Sequence, residues 1–155
     1  MKPTQAQTTY IERVGRWWES VSGSRNAGQI LGWLMICDPA HQSSAQLMEA
    51  LHISAGSIST QVRVLETIGL VERITFRGDR ATYYQLRPNV WVEIMGGEEA
   101  RIREMRELAA AAAAVRPVER PDRVDDLARV ADFFLEQWPA LMQRLSEFLE
   151  KERAS

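Results

Sequence analysis

Apolar side chains recur at Tyr10, Val14, Trp17, Trp18 and Val21, the i, i+4, i+7 spacing of an amphipathic helix over residues 8–22. Ser22-Gly23-Ser24 breaks it. Residues 26–37 are apolar almost all round, which predicts a buried central helix stopped by Asp38-Pro39. Ser43 with Gln46 three residues on forms a capping-box pair, and Leu47 and Leu51 share the face of a short helix that follows. After the tight connection Leu51-His52-Ile53-Ser54, Ser54 caps a second helix running to about Ile68, with Gly69 placed for a left-handed stop.

The period then changes from 3.6 to 2. Leu70, Ile74 and Phe76 alternate with Val71, Arg73 and Thr75, so the first set is expected to pack on the helices. A turn at Arg77-Gly78-Asp79-Arg80 leads into a second strand, residues 81–87, making a two-stranded hairpin. From Asn89 the pattern is helical again. Ile94, Ile102, Met105, Leu108, Ala112 and Val115 trace one stripe, with Gly96-Gly97 an expected irregularity. The alanine run 109–114 suits close helix–helix approach. Pro117 and Pro121 bound a linker. In the last helix, about 122–151, Leu127, Phe134, Leu141 and Phe148 recur every seven residues, and Val130, Trp138 and Leu145 fall between them. That is a coiled-coil-like seam that Pro139 should kink or divide.

Helix, short helix, tight turn, second helix and hairpin describe a winged helix-turn-helix, whose second helix lies in the DNA major groove. At 100° per residue, Ile58, Val62 and Leu65 face the core and Gly56, Thr60, Arg63 and Thr67 face away, flanked by Ser57 and Ser59. Small hydroxyls and one arginine allow close approach to phosphates and base edges. Ser54 and Ser57 add the dipole and free amides of a helix N-terminus, and Gln61 is counted with this surface. On the wing, Arg77 and Arg80 flank a Gly-Asp tip suited to a narrow minor groove, and Asp79 is expected to hold an arginine in place. An ordinary charged turn is the plainer alternative for the tip alone.

Residues 28–87 resemble the MarR-type winged-helix regulators, and more closely their GbsR-like branch. The resemblance is carried by GQILGWLM, by SSAQLMEALHISAGSISTQVRVLETIGLVER and by the wing RGDRATYY. It implies groove-facing roles for Ser57, Ser59, Thr60 and Arg63, a wing role for Arg80, and a homodimer built from the flanking helices. Position 60, often a long basic or amide side chain in relatives, is threonine here, so base preference does not carry over.

Charge sharpens this reading. The total of −2 argues against a uniformly basic coat. Residues 1–90 hold nine Lys/Arg against seven Asp/Glu, and residues 91–155 ten against fourteen. Within residues 54–87 there are five arginines and three acids, a focused contact surface. The lone Cys37 excludes an intramolecular disulfide framework, and without an activating cation nearby it reads as a buried residue rather than a redox sensor. His41, His52 and Cys37 are too scattered for a metal site, and neither a catalytic motif nor a cofactor-binding motif is present, so no enzyme activity is expected. No apolar run is long enough to span a bilayer, and the polar start has no secretory apolar region, so a cytoplasmic protein is expected.

The five tryptophans, Trp17, Trp18, Trp33, Trp91 and Trp138, read first as core and interface packing. The sharper alternative is an effector site for an apolar or choline-like ligand, an aromatic cage in the second case. The resemblance supports that alternative, since some regulators similar to this branch respond to choline.

The expectation is therefore a mainly α fold with a small β-hairpin wing. It comprises an N-terminal dimerisation helix (1–25), a winged helix-turn-helix unit (26–88) and C-terminal dimerisation helices (89–155). The function expected is sequence-specific regulation, as a repressor, by a homodimer bound to double-stranded DNA at a pseudo-palindromic operator and released by a small effector. The competing class is a winged-helix protein–protein interaction module whose DNA surface is unused.

Overall fold

The computed structural model describes residues 2–115 and 122–153. The expected linker prolines Pro117 and Pro121 lie outside the described residues. The chain divides into two units, residues 1–90 and 91–155.

In the first unit, α1 (Gln5–Ser22) starts at a capping box of Thr4 and Gln7 and stops at left-handed Gly23. Ser24 then caps α2 (Arg25–Leu34), whose Ala27, Ile30, Leu31, Trp33 and Leu34 are buried. The two helices touch backbone to backbone. A Cβ on Gly28 would sit 2.5 Å from Cβ of Trp18 and 2.8 Å from Cα of Gly15, so only glycine fits there. Polar contacts clamp the same pair: Glu12 accepts from Arg25 and, at 2.6 Å, from Gln29. The Arg25 guanidinium holds the Glu12 carboxyl below its usual range.

The Ser43–Gln46 capping box forms as the spacing predicts and starts α3 (Ser44–Leu51), which ends at left-handed His52. Ser54 caps α4 (Ala55–Thr67), which buries Ile58, Val62 and Leu65 and is followed by left-handed Gly69. The sheet has three antiparallel strands, not two: β1 (His41–Ser43), β2 (Val71–Thr75) and β3 (Thr82–Leu86), in the order β1-β3-β2. Three residues are too few to show a period, which is why β1 escapes the sequence pattern. Its middle residue, Gln42, is buried and fully occupied. It accepts from the Trp33 indole at 3.3 Å and donates to the carbonyls of Pro39 and His41.

The strand faces are the reverse of the sequence expectation. Val71 and Tyr84 are buried on the helix side, whereas Ile74 is half-buried and Phe76 is 44% exposed. Leu70 is buried, but it precedes the first ladder residue and so does not share the pleat of β2. Counting alternation from it shifts the face by one residue, and a one-residue shift swaps every side chain across the sheet. Phe76 instead joins His41 and Tyr83 on the outer face, with ring centres 4.8–5.3 Å apart.

The second unit holds α5 (Val90–Ala113) and α6 (Asp122–Arg153). Gly96-Gly97 does not interrupt α5, and Pro139 lies within α6 without dividing it. A proline removes one helical hydrogen bond, and the bonds of the turns on either side continue the helix. Ala109 and Ala131 are buried, and Arg106 donates to Asp132 at 2.6 Å across the two helices. Leu108, Val130, Phe133, Phe134, Leu141 and Phe148 remain exposed along the pair.

Candidate nucleic-acid interface

The outer arc of α4 follows from its core stripe. With Ile58, Val62 and Leu65 inward, the 100° rotation per residue leaves Gly56, Ser59, Thr60, Arg63 and Thr67 exposed on the other side. Thr60 and Thr67 donate to the carbonyls of Gly56 and Arg63, each at 2.9 Å, which presents their methyl groups and hydroxyl lone pairs outward. Ser54 is exposed at the N-terminus and accepts from the Ser57 amide at 3.4 Å. The neighbouring first-turn amides face solvent where the helix dipole favours an anion.

Two expected contact residues lie elsewhere on the helix. Ser57 accepts from the Asn26 side-chain amide at 2.9 Å, and Gln61 accepts from the Ser24 hydroxyl at 2.6 Å. Both are partly buried along the flank that meets the start of α2. The i, i+4 relation of Ser57 and Gln61 is visible in the sequence, but their partners, 31 and 37 residues away, are not.

At the opposite end of α4, its one acid is neutralised from the wing. Arg73 donates to Glu66 through Nε at 3.2 Å and Nη2 at 3.1 Å, with its guanidinium 5.7 Å from the Tyr84 ring centre. The wing tip turns through left-handed Gly78, where the Asp79 amide donates to the Phe76 carbonyl at 3.1 Å. Asp79 does not hold an arginine. Its carboxylate accepts from the Ala81 amide at 2.8 Å and from the Tyr83 hydroxyl at 2.7 Å. Donors that close bind the charged form, so the Ala81 amide first and then Tyr83 hold the Asp79 carboxyl below its ordinary range. These donors, with a smaller contribution from the Arg80 backbone amide, satisfy the carboxylate without a guanidinium, and neither wing arginine side chain has an ion-pair partner among the described residues. Tyr83 is the residue that sequence reasoning missed here. A period-2 pattern places its side chain on one sheet face but does not show what its hydroxyl meets.

Arg63, Arg77 and Arg80 are exposed, and none has an acidic partner among the described residues. Arg25, Arg73, Arg101, Arg103, Arg106 and Arg129 are each paired with a carboxylate. Unpaired guanidiniums on the helix arc and wing are available to phosphate or a guanine edge.

The tryptophans do not present five free faces. Trp33 is sealed in the core at 1% exposure with its indole N–H spent on Gln42. That removes it from any ligand cage. Trp18 is buried with Trp17 set edge to face at 5.7 Å. In the second unit Trp91 is exposed, and Trp138 lines a mainly apolar cavity of about 240 Å³ with Glu98, Ile102, Met105, Val130, Ala131 and Phe134. The Trp138 indole N–H is buried and has no hydrogen-bond partner among the described residues. Cys37 is buried, and burial pushes its thiol up to about 11, the reverse of what a redox sensor needs. Among the described residues no group of His, Cys, Asp or Glu is placed to hold a metal ion, and no helix is long and apolar enough to cross a membrane.

Comparison with known proteins agrees with this geometry. The MarR family model matches residues 24–81, from the cap of α2 to the wing. The HTH-type transcriptional regulator MmpR5 of Mycobacterium tuberculosis is 48% identical over 99 residues, which is 64% of this chain and 58% of that protein's length. A solved crystal structure of a transcriptional regulator superposes with a TM-score of 0.74 at 36% identity, covering 92% of this chain and 99% of that one.

Proposed function

Because the chain belongs to the MarR family of transcriptional regulators, we propose that it represses transcription as a homodimer bound to a pseudo-palindromic DNA operator. The observation that carries this reading is the surface made by α4 and the wing. There Ser54, Ser59, Thr60 and Arg63 line an exposed arc, and the unpaired Arg77 and Arg80 stand on the hairpin turn. The arc reads the major groove, the wing arginines enter the minor groove, and Ser57 and Gln61 serve to seat the helix. The large apolar side chains left exposed on α5 and α6 support the dimer, since a partner surface would bury them. Two-fold symmetry places the recognition helices about one DNA turn apart.

Release by a small effector belongs to this reading. Trp33 is withdrawn from the cage that would favour a quaternary ammonium, and the cavity beside Trp138 is lined mainly by apolar side chains, with Glu98 among them, so an apolar effector is the better fit. Such a ligand acts only if it binds the DNA-free arrangement more tightly. The GbsR-like placement stays part of the proposal and rests on the motifs of residues 28–87 alone.

The decisive experiment recovers genomic fragments with the full chain and measures their affinity by fluorescence anisotropy. Wild-type protein should hold selected fragments more tightly than random duplex by 10³-fold or more. Arg63→Ala with Arg80→Ala should abolish that preference. No preference in the wild-type protein refutes the reading.

A further inference from the structure

We propose that Ser24 and Asn26, at the start of α2, are positioning residues that set the roll of α4 and thereby operator specificity; this rests on the DNA-binding reading above. Neither lies on α4 or the wing. Their side chains donate to Gln61 and Ser57, two α4 residues one helical turn apart on the same flank. Two bonds in line along a helix resist its rotation about its own axis. Its buried contacts, Ile58, Val62 and Leu65, are apolar, and apolar attraction has no preferred direction.

The geometry shows why roll matters. Side-chain tips sit about 5–6 Å from a helix axis, so a 20° roll moves the tips of Thr60 and Arg63 by about 2 Å. That displacement breaks a hydrogen bond to a base edge, whose useful range spans only about half an ångström. A phosphate contact by a flexible arginine tolerates it, because long-range charge attraction survives small shifts. Loss of the two bonds should therefore cost specificity and spare nonspecific affinity.

The anchor is itself rigid. Ser24 accepts from the Ala27 amide while it donates to Gln61, so one hydroxyl both starts α2 and holds α4. Four residues beyond Ser24, Gly28 fixes α2 against α1 at backbone contact distance. The roll of α4 is thus referenced to the α1–α2 pair. At its far end, the Arg73–Glu66 pair ties the helix to the wing.

The test uses the full chain and two duplexes, the genomic fragment that wild-type protein selects and a scrambled duplex of equal length. Ser24→Gly removes the hydroxyl but keeps a residue that caps helices nearly as well as serine. Asn26→Ala removes the second donor. The double variant should lose about ten-fold in the ratio of selected to scrambled affinity, with scrambled affinity and its salt slope at wild-type values. Ser24→Thr, which retains a hydroxyl, should keep the wild-type ratio. An unchanged ratio in the double variant overturns the proposal. So does a fall in both affinities in proportion to a lowered melting temperature, which marks a purely structural role. If wild-type protein selects no fragment, the DNA-binding reading fails first and this proposal with it.

Discussion

Arg73 of β2 grips Glu66 of α4 in a two-point contact, Nε to Oε1 at 3.2 Å and Nη2 to Oε2 at 3.1 Å. The pair joins α4 to the wing and offsets the only acid on that helix. Phosphate therefore meets no bare carboxylate along α4.

Removing the arginine alone should do more harm to DNA binding than removing both charges. Arg73→Ala frees Glu66 to repel phosphate, whereas Arg73→Ala with Glu66→Gln does not. Anisotropy titrations should place the single variant about five-fold or more below wild type, with the double variant recovering most of the loss. Thermal unfolding should barely separate them, because the Arg73 side chain is 57% exposed and pairs of that kind contribute about 0.2–1 kcal/mol. Equal DNA affinities for the two variants would contradict the argument.

Salt dependence follows from the unpaired wing arginines. In the proposed homodimer, Arg77 and Arg80 of each protomer make four phosphate contacts, which imply a loss of about 10²-fold between 50 and 200 mM salt. Arg77→Ala should lower the slope of log K against log salt by about one per protomer, for all sequences alike. A base-reading residue behaves differently. Arg63→Ala should reduce discrimination between selected and scrambled duplex more than it reduces the slope.

The wing tip should respond to acid through Asp79. Its carboxyl is held below the ordinary carboxylate value of about 4 by the Ala81 amide and the Tyr83 hydroxyl. A group depressed in the folded state adds order that is complete above its unfolded value and disappears as pH falls through the folded one. Protection of the Ala81 amide against hydrogen exchange should therefore be flat from pH 7 to pH 5 and fall only below about pH 4. Tyr83→Phe, which deletes the donor, should loosen the tip and weaken DNA binding by a few-fold at neutral pH. Exchange at Ala81 that changes between pH 7 and pH 5 would point to another group.

Local signals made α4 readable from sequence, and distant ones hid its supports. Ser54, the Ile58-Val62-Leu65 stripe and Gly69 lie within sixteen residues and specify start, inner face and stop together. The outer arc followed by subtraction. The flank did not, because Ser57 and Gln61 look like further polar contact residues until Asn26 and Ser24 are brought beside them. The sheet shows the same limit in another form. Its existence was written in the alternation of residues 70–76, but its facing depended on whether Leu70 belonged to the ladder. Only the packing of Val71 and Tyr84 decides that.

Cys37 should be silent toward thiol reagents in the folded protein. Its thiol is buried and raised to about 11, so very little thiolate exists at pH 8 and little of it is reachable. Labelling by a disulfide reagent should proceed at the rate of unfolding and become immediate in denaturant. Fast labelling of native protein would reopen the redox reading.

Gly28, the most closely approached of the glycines, should tolerate no added methyl group. A methyl group on Gly28 would lie 2.5 Å from Cβ of Trp18, 2.8 Å from Cα of Gly15 and 2.9 Å from the carbonyl oxygen of Val14. None of these is the end of a flexible side chain, so α1 and α2 must separate to admit it. Glycine to alanine inside a helix normally stabilises by up to about 1 kcal/mol, so a net loss would isolate the packing clash. Gly28→Ala should destabilise the protein by about 1–3 kcal/mol in urea unfolding, the usual cost of overpacking. Gly56→Ala serves as the control. It is also a glycine within a helix, but nothing lies within 4 Å of its added Cβ, so it should hold or raise stability. DNA binding should reverse the order. Gly56→Ala places a methyl group on the exposed arc of α4 and should weaken operator binding in a stable protein. Gly28→Ala should bind with wild-type discrimination at temperatures where it remains folded. Finding both variants equally stable would mean that the two helices are not in backbone contact at Gly28.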